Sequence, residues 1–162
     1  MTRDLTVRRL RANGTWADGV NVHGAHERVL VEDSEVRFSN DDAFAAWSIG
    51  ALQSDVTFRR NRAVTPRQSG GPTCAVDPMP AGCLASGCFA NYGGETVSFF
   101  DNVGVECYED AVVIAGNVHY GLFGGAWAKS SVFDARGNTG APRECRFLWA
   151  PPGGFPGTAT CA

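Results

Sequence analysis

Ala17-Asp18-Gly19-Val20-Asn21-Val22-His23 and Asn40-Asp41-Asp42-Ala43-Phe44-Ala45-Ala46-Trp47 decide the fold, because the second stretch echoes the first. In phase, Asp18 falls over Asp42, Gly19 over Ala43, Val20 over Phe44, Val22 over Ala46 and His23 over Trp47, each pair 24 residues apart. The phase holds upstream, where Val7 falls over Val31. Short β-rich runs joined by turns and recurring at such a period mark a solenoid in which each repeat forms one coil. The expectation is an all-β, right-handed parallel β-helix. Asp18 and Asp42 then occupy the same place on successive coils, with Asp41 beside them.

Three carboxylates on one patch repel each other, and something must compensate. Acid/base chemistry is one such reason and a bound hard cation is another. An Asp-Gly or Asn-Asp pair taken alone is an ordinary turn former. It is the third aspartate, stacked from the neighbouring coil, that gives the cluster chemical interest.

The 162 residues suffice for one domain with a sizeable core. The net charge of -3 gives no footprint for nucleic acid, and Arg8, Arg9, Arg11, Arg59, Arg60 and Arg62 are interleaved with acids as solvated faces are. No apolar run reaches the roughly 18 residues of a membrane span. Abundant glycine and little helical periodicity favour strands. The six cysteines (Cys74, Cys83, Cys88, Cys107, Cys145 and Cys161) include no CxxC pair. They read as disulfides of an extracellular protein rather than zinc ligands. Proximity suggests Cys74 with Cys83 and Cys145 with Cys161. The first residues, Met1-Thr2-Arg3-Asp4-Leu5, hold no apolar signal-peptide stretch. Together these features read as the C-terminal part of a longer, secreted helix that lacks an upstream β-helical segment here.

The predicted strands are Leu5–Leu10, Val20–His23, Arg28–Val31, Val36–Phe38, Phe44–Trp47, Val56–Arg59, Thr96–Phe100, Ala111–Ala115 and Ser131–Asp134. The step from Val7 to Asp18 recurs from Val31 to Asp42 and from Phe99 to Asp110, so Asp110 marks a later, degenerate copy. Alternation places Val20, Val22, Phe44, Ala46, Val112 and Ile114 inward, and Asn21, His23, Ala45, Trp47, Val113 and Ala115 outward. One β-helix domain therefore spans 1–162, with a cysteine- and proline-rich insertion at about 65–94 and an irregular tail at about 141–162.

Hydrolysis of a glycosidic bond requires a proton donor for the leaving oxygen and a carboxylate acting on water or on the anomeric centre. Asp41, crowded between the other two, is the candidate acid; Asp18 and Asp42 are candidates to hold and activate the water. One rung and one residue separate Asp18 from Asp41, about 6 Å of backbone. Outward side chains could widen this to the roughly 6.5–9.5 Å of an inverting pair. Trp47 and His23 are candidates to stack on a sugar face, and Asn21 to bond a hydroxyl. Trp16 and Tyr108 could form walls; His119, Tyr120, Trp127 and Lys129 carry weaker signals. No Ser/His/Asp order, phosphate loop or metal-spaced histidine set is present.

Ala17-Asp18-Gly19-Val20-Asn21-Val22-His23-Gly24, followed by Asn40-Asp41-Asp42-Ala43-Phe44-Ala45-Ala46-Trp47-Ser48, resembles the core of glycoside hydrolase family 87. That family comprises α-1,3-glucanases and mycodextranases on right-handed parallel β-helices. The resemblance covers roughly Leu5 to Phe58, with Ala43 where a glycine often follows the aspartate pair. It implies an inverting endo-hydrolase of α-glucan, needing no metal or cofactor, with Asp41 as acid and Asp18 and Asp42 as bases. The implied partner is a polysaccharide, with neither nucleic acid nor membrane. Two alternatives stand beside it: a non-catalytic carbohydrate-binding solenoid, and a pectin-type β-helix hydrolase or lyase. The lyase would need a base such as Arg11 or Arg37 close by.

Overall fold

The computed structural model describes residues 2–48, 53–66, 87–94 and 96–107, and the backbone of four later strands. Among the described residues every regular element is a strand. The order is β1 (Thr2–Arg8), β2 (Arg11–Asn13), β3 (Val20–His23), β4 (His26–Glu32), β5 (Glu35–Arg37), β6 (Phe44–Trp47), β7 (Ser54–Arg59) and β8 (Arg62–Val64). It continues with β9 (Phe89–Tyr92), β10 (Thr96–Phe100), β11 (Val103–Val105), β12 (Val112–Ala115), β13 (Val132–Arg136), β14 (Arg146–Trp149) and β15 (Ala159–Cys161).

The chain visits three parallel sheets in rotation. The first sheet runs β1-β4-β7-β10-β13-β15, the second β11-β8-β5-β2 and the third β14-β12-β9-β6-β3. This is an all-β stack of parallel sheets, consistent with a parallel β-helix or solenoid. The register reproduces the sequence phase: Val7 pairs with Val31, Val20 with Phe44, Val22 with Ala46 and His23 with Trp47.

Alternation fills the interior. Val29, Val31, Val36, Phe44, Val56, Phe58, Phe89, Val97 and Phe99 form one buried cluster, with Val20 and Val22 packed in. Phe44 stacks on Phe89 (5.3 Å, 10°) and Phe58 on Phe99 (4.9 Å, 9°), each pair one rung apart, and the two stacks meet edge to face. Parallel register makes this possible, because identical positions superpose and offset stacking is favourable. Ala45, placed outward by the sequence, does face outward but is fully buried beside Ala90, Trp47 and Tyr92.

The corners repeat as strictly as the strands. Arg9, Asp33, Arg60 and Asp101 all have φ between 51° and 56°, and each turns the chain from the first sheet to the second. Gly14, Phe38, Thr65 and Glu106 do the same at the end of the second sheet. A left-handed residue strains a side-chain-bearing position, so stacked hydrogen bonds must hold each corner. Leu10 N–H donates to Ser34 Oγ (3.1 Å), Ser34 N–H to Asn61 Oδ1 (3.0 Å) and Asn61 N–H to Asn102 Oδ1 (2.9 Å). The Asn61 and Asn102 amides return a bond to Val31 and Phe58 carbonyls, so this polar column is satisfied rung by rung.

Several expectations are revised. Phe38 is a corner residue rather than the end of a strand. Strand β9 lies within 65–94, the span read as an insertion, and takes its place in the third sheet between β6 and β12. Strands β14 and β15 likewise fall within 141–162, read as an irregular tail. Strands of three or four residues carry too few alternations to be recognised by pattern. Cys88 and Cys107 form a disulfide inside the core, a pairing that sequence proximity did not suggest. The expected Cys74–Cys83 and Cys145–Cys161 pairings lie outside the described residues, as do Asp110, Tyr108, His119, Tyr120, Trp127 and Lys129. The side chains of Val112, Val113, Ile114 and Ala115 lie outside them too. A disulfide is compatible with an extracellular setting, and among the described residues no helix is long and apolar enough to cross a membrane.

Candidate carboxylate site

The turns that lead from the second sheet into the third carry the aspartates. Asp18 precedes Val20 by two residues as Asp42 precedes Phe44, and those residues are register partners. Gly19 N–H donates to the Asp42 carbonyl (2.9 Å) and Val20 N–H to that of Ala43 (2.9 Å), which locks the two turns together. Gly19 has no alternative: a Cβ there would lie 2.2 Å from Val36 and 2.6 Å from the Ala43 carbonyl oxygen. The glycine is thus required by the close passage of one coil over the next.

The sequence expectation that the three aspartates meet is met in space. Asp18, Asp41 and Asp42 each offer a carboxylate oxygen, and these oxygens all lie within 4.8 Å of one another. This is tighter than the roughly 6.5–9.5 Å foreseen for an inverting pair.

Each member has a different environment. Asp42 is fully buried; its Oδ1 accepts the Gly87 N–H at 2.6 Å. The Tyr92 hydroxyl lies against the same carboxyl, although Oδ2 closes no well-formed hydrogen bond. Desolvation, then the charges of Asp41 and Asp18, push its pKa well above the usual carboxylate range. Asp18 is half-buried and pushed up to about 7 by desolvation and by Asp41. Asn21 Nδ2 donates to its Oδ2 at 2.5 Å, while Oδ1 is buried with no hydrogen-bond partner. Asp41 is raised to about 6, chiefly by desolvation, and its Oδ1 accepts the Asp42 N–H at 3.0 Å. Burial heads the causes for all three, and the charge of a neighbouring aspartate adds to it for Asp18 and Asp42.

The three expected sugar contacts divide. Asn21 is exposed, and its amide nitrogen is committed to Asp18, which makes it an orienting residue for that carboxylate. His23 is exposed and meets Trp47 edge-on (6.1 Å, 67°); Trp47 in turn meets Tyr92 (4.8 Å, 62°). The rings form one outward column, as the register His23–Trp47–Tyr92 requires. The neighbouring outward positions are Ala45 and Ala90, small enough for Trp47 and Tyr92 to pack over them. Trp16 is 90% exposed. Tyr92 escaped the sequence reading, yet Phe89-Ala90-Asn91-Tyr92 repeats the form of Phe44-Ala45-Ala46-Trp47.

Among the described residues the influences on the three carboxyls are one another, Asn21, Tyr92 and backbone N–H groups, with no cation among them. Arg37 is paired with Glu35 (2.7 Å), and Arg11 donates to the carbonyls of Leu10 and Asp33. The site can therefore hold protons near neutral pH beside an aromatic surface. No family model, curated protein or solved structure matches the chain.

Proposed function

We propose that the protein is a glycoside hydrolase acting within α-1,3-glucan or a related α-glucan. The observation that carries this reading is the convergence of three carboxyls within 4.8 Å at one corner, two of them half-buried with pKa near 6 and 7. A general acid works best when its pKa lies near the operating pH, and burial supplies that shift here. Asp41 donates the proton to the leaving oxygen, Asp18 directs the water under the control of Asn21, and buried Asp42 sets the charge state of both. The His23–Trp47–Tyr92 column provides a face for sugar rings, which present C–H surfaces to aromatic groups. Substrate class and inversion follow from the family resemblance, since the carboxyl spacing alone is shorter than an inverting pair needs.

The same reading makes the fold a right-handed β-helix, as parallel crossovers almost always are. It places the protein outside the cell. A second reading has one observation in its favour. The buried, unpartnered Asp18 Oδ1 and its two neighbours form a set that suits a hard cation, as in a sugar-binding module.

Incubation with insoluble α-1,3-glucan distinguishes the two. The hydrolase releases reducing ends in EDTA, and NMR of the first product shows the β-anomer. Glucan binding that EDTA abolishes and calcium restores, without release of reducing ends, would instead establish the binding module.

A further inference from the structure

The third coil reaches the carboxylate site at the entrance of β9. Phe89 pairs with Phe44 as Phe44 pairs with Val20, so Gly87 occupies on the third coil the place that Asp18 and Asp42 hold on the first two. At that rung the column offers a backbone donor in place of another acid: the Gly87 N–H donates to Asp42 Oδ1 at 2.6 Å. The other oxygen, Oδ2, is buried and closes no well-formed hydrogen bond. The Gly87 N–H is therefore the firmest hold on the Asp42 carboxyl.

That N–H must itself be held. In the second coil 7 positions lead from Arg37 to Phe44, whereas in the third 25 lead from Val64 to Phe89. By length alone the longer passage restrains its end less. Two other restraints act there. From the second coil, Ala43 N–H donates to the Gly87 carbonyl and Phe44 N–H to that of Cys88, both at 3.1 Å. From the fourth coil comes a covalent restraint, the Cys88–Cys107 disulfide. Cys107 is anchored in turn. It follows the corner at Glu106, whose carboxylate accepts the Thr65 hydroxyl (2.8 Å), and β11 pairs in register with β8.

The sequence makes room for this bridge. Val36, Ala63 and Gly104 are register partners on β5, β8 and β11, and the side chain shrinks at each step toward the sulfurs. A Cβ at Gly104 would lie 2.6 Å from Cys107 Sγ and 3.1 Å from Cys88 Sγ. Glycine weakens a strand interior, and its presence there marks a close approach that the strand must admit. Both cysteines are buried, so the bridge belongs to the core that backs the site.

We propose that the Cys88–Cys107 disulfide positions the carboxylate site: by pinning the entrance of β9 between the second and fourth coils, it keeps the Gly87 N–H on Asp42 and so holds that carboxyl beside Asp18 and Asp41. Cys88, Cys107 and Gly104 are positioning residues that act through Gly87, as a supporting shell does around a functional group. Their role depends only on the geometry of the site, and holds whether the three carboxyls act on a glycosidic bond or take up a cation.

Solution NMR of the isotope-labelled, oxidised chain tests this through the scalar couplings that hydrogen bonds transmit. The wild-type chain should show a coupling from the Gly87 amide nitrogen to the Asp42 carboxyl carbon. A second coupling, from the Ser34 amide nitrogen to the Asn61 side-chain carbonyl carbon, reports a bond of the same kind (3.0 Å) in the polar column. The variant Cys88→Val/Cys107→Ala retains apolar side chains in the core and cuts the tether. It should lose the Gly87 coupling and keep that of Ser34. Gly104→Ala, which retains the disulfide but crowds Cys107 Sγ, should do the same and decides the matter if the double variant does not fold. Retention of the Gly87 coupling in whichever variant folds would overturn the proposal, whatever the loss of melting temperature. Equal loss of both couplings would also overturn it, since the bridge would then hold the stack as a whole and not the site. So would absence of the Gly87 coupling from the wild-type chain.

Discussion

Glu32 and Asp42 are both acids without accessible surface, yet their environments drive them in opposite directions. Glu32 lies on the outer side of the first sheet, where Arg8, Arg59 and Arg60 close over it; Arg59 Nε and Arg60 stand 2.7 Å from its Oε2. Those guanidiniums hold its carboxyl down to about 2. Asp42 has only a backbone N–H, a tyrosine hydroxyl and two other acids, and its carboxyl is held well above the usual range. Loss of exposure alone therefore does not determine the fate of a carboxylate; what covers it does. Guanidinium cover gives a permanently ionised structural clamp. Cover by backbone, aromatic rings and like charge gives a group that keeps a proton.

Activity is where the two regions should differ most. Asp41→Asn should lower glucan hydrolysis by about a hundredfold to ten-thousandfold with the circular dichroism spectrum unchanged, the usual span for loss of a general acid. Glu32→Gln should leave kcat unaltered per folded molecule and lower the melting temperature. Equal loss of kcat in both variants, at equal folded fraction, would erase the distinction.

Next in size is the polar column beside the clamp. Asn61→Ala strips the partner from the Ser34 N–H and the Val31 carbonyl, both deep in the stack. Urea unfolding should show a loss of about 1–3 kcal/mol, the cost of leaving buried polar groups unmatched.

The pH dependence sharpens the contrast further, because its sign differs between the regions. Glu32 falls from an ordinary 4.5 to about 2 on folding, so its stabilisation is present above 4.5 and is lost as pH drops through 2. Asp18 and Asp41 rise from 3.8 to about 7 and about 6, so their favourable contribution is complete below 3.8 and disappears as pH climbs through 6 and 7. Thermal melts should show Glu32→Gln flattening the acid limb alone. Asp42→Asn should flatten the neutral limb and stabilise the fold at pH 8 by about 1 kcal/mol, since a neutral isostere still accepts the Gly87 N–H. The smallest effect belongs to the exposed Asp4–Arg28 pair: Arg28→Ala should leave the melting temperature within error, as such pairs are screened by water.

The parts of this arrangement legible in the sequence are those that recur at constant spacing. Coils one and two differ by 24 residues at every sheet, so Asp18 could be laid on Asp42 and the acidic trio foreseen. The third coil departs from that spacing. Arg37 to Phe44 is 7 positions, while the equivalent passage from Val64 to Phe89 is 25, and this hid β9 and with it Tyr92. The Cys88–Cys107 pairing was hidden for a related reason: it joins the entrance of β9 to the exit of β11, a proximity that only the stacked register creates. The left-handed corners left no trace in residue type, being Arg, Asp, Phe, Thr and Glu as well as glycine. Their geometry is imposed by the ladder of bonds above and below.

The passage from the second sheet to the third, where the aspartates reside, is also the passage that lengthens between Val64 and Phe89. Strands on either side keep step through it, because each rung answers only to the rungs it touches. A lineage could therefore change the length of this passage without moving the strands that carry the aspartates.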